Sequence, residues 1–240
     1  AMGVIAMSLD SPEMIEEVVS LQLPTVFIDS VTDGVHADAV HSTNREGMKE
    51  ATRYLLENTS GPVAFVGSLT RYPPNPHTER YEGFVEAYNE FGCEVPDEYV
   101  LFTGIHVNGG RDIARRILNL SPLPAGIVCS DDRVAMGILD VLRDAGVSVP
   151  DQTSVIAFGG TIITLMVIPT ISTVSPNRLL MGEEAVHLLE KRLRQPGRRP
   201  RTVRVPTRLI LRGSSVPAHR RRPTALPIPA QSPTYPLAGQ

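Results

Sequence analysis

The 240-residue sequence has no tryptophan and only two cysteines, Cys93 and Cys129. Without tryptophan the broadest stacking platform for a sugar or planar ring is missing, so that role falls to phenylalanine or tyrosine. Neither cysteine has a second thiol or a histidine at metal-ligand spacing, which argues against a disulfide framework or a zinc site and leaves two ordinary reduced thiols. No run approaches about 18 uninterrupted apolar residues, and Ala1 to Leu9 lack the basic-then-apolar layout of a secretion signal. A cytoplasmic protein without membrane contact is expected. Acidic residues are absent from Lys191 to Gln240, a stretch with 12 Lys and Arg, whereas residues 1–190 hold 26 acidic against 11 basic groups. That acidic body is a poor nucleic-acid surface, because such binding draws its affinity from neutralised phosphates. The basic end crowds Arg and Pro together with few bulky apolar residues, so 214–240 reads as a disordered tail.

At 42% hydrophobic, the rest of the chain can bury a substantial core. Short apolar runs alternate with helical patterns, the rhythm of an α/β protein with parallel sheets. Strands are expected at Gly3 to Met7, Thr25 to Ile28, Val63 to Val66, Gly126 to Cys129, Ser154 to Phe158 and Thr202 to Leu211. Helices are expected at about 12–20, 44–57, 78–91, 110–120, 132–145 and 177–193, the last with Leu179, Gly182, Ala185, Val186 and Leu189 on its packing side.

Several motifs occur in a meaningful order. They are Leu23 to Asp29, Arg80-Tyr81-Glu82-Gly83-Phe84, Ser130 to Gly137, Gly146 to Phe158, Ile171-Ser172-Thr173-Val174 and Arg212-Gly213-Ser214. Each alone is weak, but the ordered set, from Gly3 to Ser214, resembles the effector-binding core of the LacI/GalR regulators and their relatives, the periplasmic sugar-binding proteins. The resemblance implies a periplasmic-binding-protein-like fold: two parallel-sheet lobes, three crossings between them and a ligand in the cleft. The crossings would fall near His41-Ser42, Ser175-Pro176 and Arg199 to Thr202. A partial N-terminal lobe would comprise 1–41 and 176–200, and a C-terminal lobe 42–175 and 201–213. The family's helix-turn-helix domain and the first two strand-helix units of its N-terminal lobe have no counterpart in this sequence, which is expected to begin after them.

In open α/β sheets ligands sit beyond the carboxyl ends of the strands, which singles out Asp29, Ser68, Ser130 and Gly159. By resemblance Asp29 would accept hydrogen bonds from an effector hydroxyl; equally, it can serve as a turn aspartate capping the next segment. Arg80 would offer a forked contact, Ser130 would touch the ligand, and Asp131 reads as a helix N-cap. Phe158 is either a stacking ring or core. Arg178 either reaches the cleft or stays an exposed helix-start arginine. Gly159-Gly160 departs from the family, which has an aspartate there to bind effector hydroxyls.

The implied function is that of a non-catalytic sensor of a sugar or related polyol, dimeric, acting on operator DNA only through the missing domain. An extracytoplasmic sugar-binding protein of a transporter is the alternative. None of the six histidines lies in a catalytic signature, and no cofactor or metal is expected.

Overall fold

A computed structural model of the chain describes residues 2–9, 11–30, 34–68 and 75–215. They form two lobes, each built on its own sheet. The smaller sheet joins β1 (Val4–Met7), β2 (Thr25–Ile28), β3 (Asp38–Ser42) and β9 (Thr202–Val205) in that order, all parallel. The larger sheet has the order β10-β8-β7-β6-β4-β5. Its strands are β4 (Val63–Gly67), β5 (Val100–Phe102), β6 (Gly126–Cys129), β7 (Ser154–Phe158), β8 (Ser172–Pro176) and β10 (Thr207–Ile210). All are parallel except β10, which runs antiparallel to β8.

The larger sheet is covered on both faces, which is why its strands read as unbroken apolar runs instead of alternating ones. Successive side chains point to opposite faces. Phe65, Val128 and Ile156 meet α2 (Asn44–Asn58) and α3 (Pro76–Glu90) through Met48, Leu55, Phe84 and Tyr88. Ala64, Val66, Ile127 and Val155 meet α4 (Val107–Ile117) and α5 (Asp132–Asp144) through Ile113, Ile117, Ile138 and Leu142. Gly83 makes the α2–α3 contact possible: a Cβ there would lie 2.1 Å from the carbonyl oxygen of Arg45. This is the physical content of the Arg-x-x-Gly-Phe motif, whose Phe84 is fully buried.

In the smaller lobe α1 (Pro12–Ser20) covers one face of the sheet through Ile15, against Ala6, Phe27 and Ala39. The other face is covered by α7 (Arg178–Arg194) through Met181, Ala185 and Leu188, against Val26, Ile28, Val40 and Val205. Of the expected packing side of this last helix, Ala185 and Leu189 do face the sheet, whereas Leu179 is 76% and Val186 50% exposed and Met181 and Leu188 take their place.

Two further expectations are corrected. The single strand at 202–211 is two strands in two sheets, because Pro206 has no N–H to continue a ladder and turns the chain between lobes. The third crossing thus lies at Pro206 rather than at Arg199 to Thr202, and β9 pairs with β3 in the smaller lobe. It runs beside the first crossing, where Thr43 Oγ1 accepts from the Thr207 amide at 2.9 Å. The tail does not begin at 214. The Ser214 carbonyl accepts from the Val155 amide at 2.7 Å, and the Ser214 hydroxyl donates to the Val155 carbonyl at 2.6 Å. Residues 216–240, the rest of that tail, lie outside the described residues.

Candidate functional site

Between the lobes lies a cleft of about 540 Å³, within the usual size of small-molecule sites. The smaller lobe contributes Met7, Leu9, Asp29, Arg178 and Met181, and the larger lobe His77, Arg80, Asp131, Phe158, Gly159 and Thr161. The expected Asp29, Arg80, Phe158, Gly159 and Arg178 thus come together there. Ser68 and Ser130 are not among the residues that line it.

Arg80 sits on α3 with its guanidinium sunk against the larger lobe. Its Nε donates to Asn44 Oδ1 at 2.9 Å, its Nη1 donates to the Ser130 carbonyl at 2.7 Å, and its Cζ lies 3.9 Å from the centre of the Phe158 ring. Burial lowers its pKa to about 10, with the nearby carboxylate of Asp29 opposing that shift. It therefore stays cationic at neutral pH. The guanidinium occupies one face of Phe158, whose side chain is otherwise core. Ser130, fully buried, supports Arg80 through its carbonyl, and its own hydroxyl has no partner among the described residues. The residue that faces the cleft at this turn is Asp131, which N-caps α5 by accepting from the Arg133 amide at 2.8 Å and also holds the Arg133 side chain.

Asp29 follows β2 in a left-handed conformation, φ +40°, which aspartate tolerates better than most residues. Its carboxylate accepts from the amide of Ser42, at 2.8 Å, and from the Ser42 hydroxyl. Asp29 thus ties β2 to the first crossing and also lines the cleft.

Gly159 follows β7 with φ +141°, and a Cβ there would come within 2.7 Å of Asp132 Oδ2. Asp132, from the first turn of α5, fills the space that an aspartate at 159 would need. Its carboxylate accepts from the Thr161 amide and hydroxyl at 2.6 and 2.8 Å and from the Thr173 hydroxyl at 3.0 Å, and burial raises its pKa. Arg178, at the first turn of α7, reaches across from the other lobe to donate to the carbonyls of Gly159 and Gly160.

His77 was not anticipated. Asn75 caps α3, accepting from the amides of His77 and Thr78, and Pro76 occupies the first turn. The helix consequently starts two residues before the expected Thr78, which sets His77 almost one turn ahead of Arg80 on the same face. The Asn-Pro pair was the signal that marks this start. The Nδ1 atom of His77 is buried with no partner among the described residues, and burial, aided by Arg80, lowers its pKa to about 4.

Residues 52–215 match the family of the periplasmic binding protein-like domain. The HTH-type transcriptional repressor PurR of Pasteurella multocida is 26% identical over 193 residues, covering 80% of this chain and 57% of the repressor. The HTH-type transcriptional regulator RegA of Clostridium saccharobutylicum is 32% identical over 193 residues, covering 80% of this chain and 58% of the regulator. A LacI family transcriptional regulator from Enterococcus faecium, solved with bound ribose, is similar at a TM-score of 0.76 and 25% identity, over 90% of this chain and 80% of that one. The chain spans a little over half the length of the curated relatives it matches. It belongs to the periplasmic binding protein-like domain family, in the form carried by LacI-type transcription regulators.

Proposed function

We propose that this chain is the effector-sensing core of a LacI-type transcription regulator, in which a small polar molecule binds between the lobes and biases their relative arrangement. The observation that carries the reading is the cleft, lined from both lobes by residues that pair with each other across it. A ligand touching both walls favours one arrangement by its differential affinity for it, and the whole protein passes that bias to operator DNA through a helix-turn-helix domain. The relatives are regulators, which favours this over a transporter-linked sugar-binding protein. Catalysis plays no part in the proposed role, and its place is the cytoplasm; no helix among the described residues is long and apolar enough to cross a membrane.

A homodimer completes the reading. The short helix α6 (Ile163–Met166) and its flanks leave Ile162, Leu165, Met166 and Ile168 on the surface of the larger lobe, with Ile168 87% exposed. An apolar cluster of this kind marks an association surface. Sedimentation velocity should show a dimer that Ile168→Asp dissociates; a wild-type monomer at all concentrations would remove the dimer from the account.

The binding test is calorimetry of the chain with ribose, other pentoses and hexoses, and nucleosides. At least one should bind, and Arg80→Ala should weaken it by about 1.5–3 kcal/mol, the contribution of a hydrogen bond to a charged group. Unchanged affinity in the variant would sink the assignment of the cleft.

A further inference from the structure

The guanidinium groups of the cleft carry the reading of it as an effector site one step further. Among the described residues it is lined by three guanidinium groups, Arg80, Arg133 and Arg178, and two carboxylates, Asp29 and Asp131. Asp131 and Arg133 cancel each other: the carboxylate accepts from Arg133 Nε at 2.9 Å and Nη2 at 3.1 Å. Arg80 and Arg178 have no carboxylate partner at ion-pair distance among the described residues. Their hydrogen bonds go to neutral oxygens, the Asn44 amide and the carbonyls of Ser130, Gly159 and Gly160. Asp29 is the lining carboxylate left opposite Arg80, with Asp132 and Glu79 also acting on that guanidinium from the larger lobe, whereas Arg178 faces no carboxylate at ion-pair distance among the described residues.

The acceptors tell the same story. A neutral polyol needs acceptors for its hydroxyl protons, which carboxylates and carbonyls supply. Here Gly159 has no side chain, the Gly159 and Gly160 carbonyls are taken by Arg178, and Asp132 is committed to Thr161 and Thr173. Asp29 already accepts from Ser42. Donors are in surplus: a guanidinium carries five N–H groups, and Arg178 directs two of its nitrogens to carbonyls while the side chain stays exposed at the rim. A planar fork of this type matches the two oxygens of a phosphate or carboxylate.

Resting on the cleft as the effector site, we propose that it selects a small polar ligand carrying one anionic group, a phosphate ester or a carboxylate, and that Arg178 recognises that charge. The anion adds to the Arg178 fork at the first turn of α7, where the helix's own partial positive charge also favours it, while Arg80 and Asp29 hold the neutral part of the ligand deeper in the cleft.

The test is calorimetry of the chain with matched neutral and acidic probes: glucose, glucose 6-phosphate and glucuronate, then ribose and ribose 5-phosphate. The expected result is that an acidic member binds at least about tenfold tighter than its neutral parent, the scale of one charge-assisted hydrogen bond. That preference should fall to near unity in Arg178→Gln, which keeps the helix start and removes the charge together with the guanidinium donors to Gly159 and Gly160. The glucuronate and glucose 6-phosphate arms separate carboxylate from phosphate as the source of the charge. Neutral sugars binding as well as their acidic partners would overturn the proposal while leaving the cleft reading intact. A preference that survives in Arg178→Gln would overturn the assignment to Arg178. Absence of binding by every probe would count against both the proposal and the cleft reading.

Discussion

At the scale of single residues, the fate of each side chain follows from its surroundings more than from its type. At Gly159 the backbone takes a positive φ and Asp132 fills the adjoining space, so a side chain there would be strained. Gly159→Ala should therefore destabilise the fold by about 1–3 kcal/mol in urea titration, and Gly159→Asp should do worse by setting two carboxylates together. Unaltered stability in the alanine variant would mean that the turn relaxes freely. His77 provides a pH signature. Its pKa is lowered from 6.5 to about 4 by burial, so the folded state binds fewer protons than the unfolded state below pH 6.5. Its contribution is complete above about 6.5 and is lost as pH falls towards 4, by about 1.4 kcal/mol for each unit. Subtracting the stability–pH curve of His77→Gln from that of the parent isolates this slope from other groups such as Asp132. Identical curves for the two would place the imidazole in water.

At the scale of elements, most of the architecture was legible because both faces of the larger sheet are buried, so its central strands are continuous apolar runs between capped helices. Val63 to Val66, Gly126 to Cys129 and Ser154 to Phe158 were anticipated to within a residue. β3 and β5 were not, since Asp38-Ala39-Val40-His41-Ser42 is broken by polar residues and Val100-Leu101-Phe102 is only three long. Asp38 is fully buried. Its Oδ2 accepts from Arg192 Nε at 3.0 Å and from Arg198 Nη2 at 2.6 Å, and its Oδ1 accepts from the Arg201 amide at 2.8 Å. This cluster pins the end of α7 and the approach to β9 onto β3. Asp38→Ala leaves buried guanidinium groups uncompensated and should cost about 3–5 kcal/mol in chemical denaturation. A loss below ~1 kcal/mol would show that water replaces the carboxylate at a surface pair. The same cluster accounts for part of the basic excess after Lys191: Arg192 and Arg198 are structural.

At the scale of the whole molecule, the two-lobe plan was visible in the order of motifs, whereas the depth of each side chain in the cleft was not. Ser130, expected at the ligand, lies buried behind Arg80, and its neighbour Asp131 lines the cleft. The likeness of the chain to ligand-binding regulators extends to nine-tenths of its length, and the central claim is that a ligand engages both lobes at once. Amide hydrogen exchange, with and without a saturating amount of the tightest-binding probe of the sugar and sugar-acid series, tests this most directly. The account predicts added protection on both walls together, at residues 75–80 and 159–161 of the larger lobe and at 7–9 and 178–182 of the smaller one. Protection confined to one lobe, or to a surface away from the cleft, would contradict it.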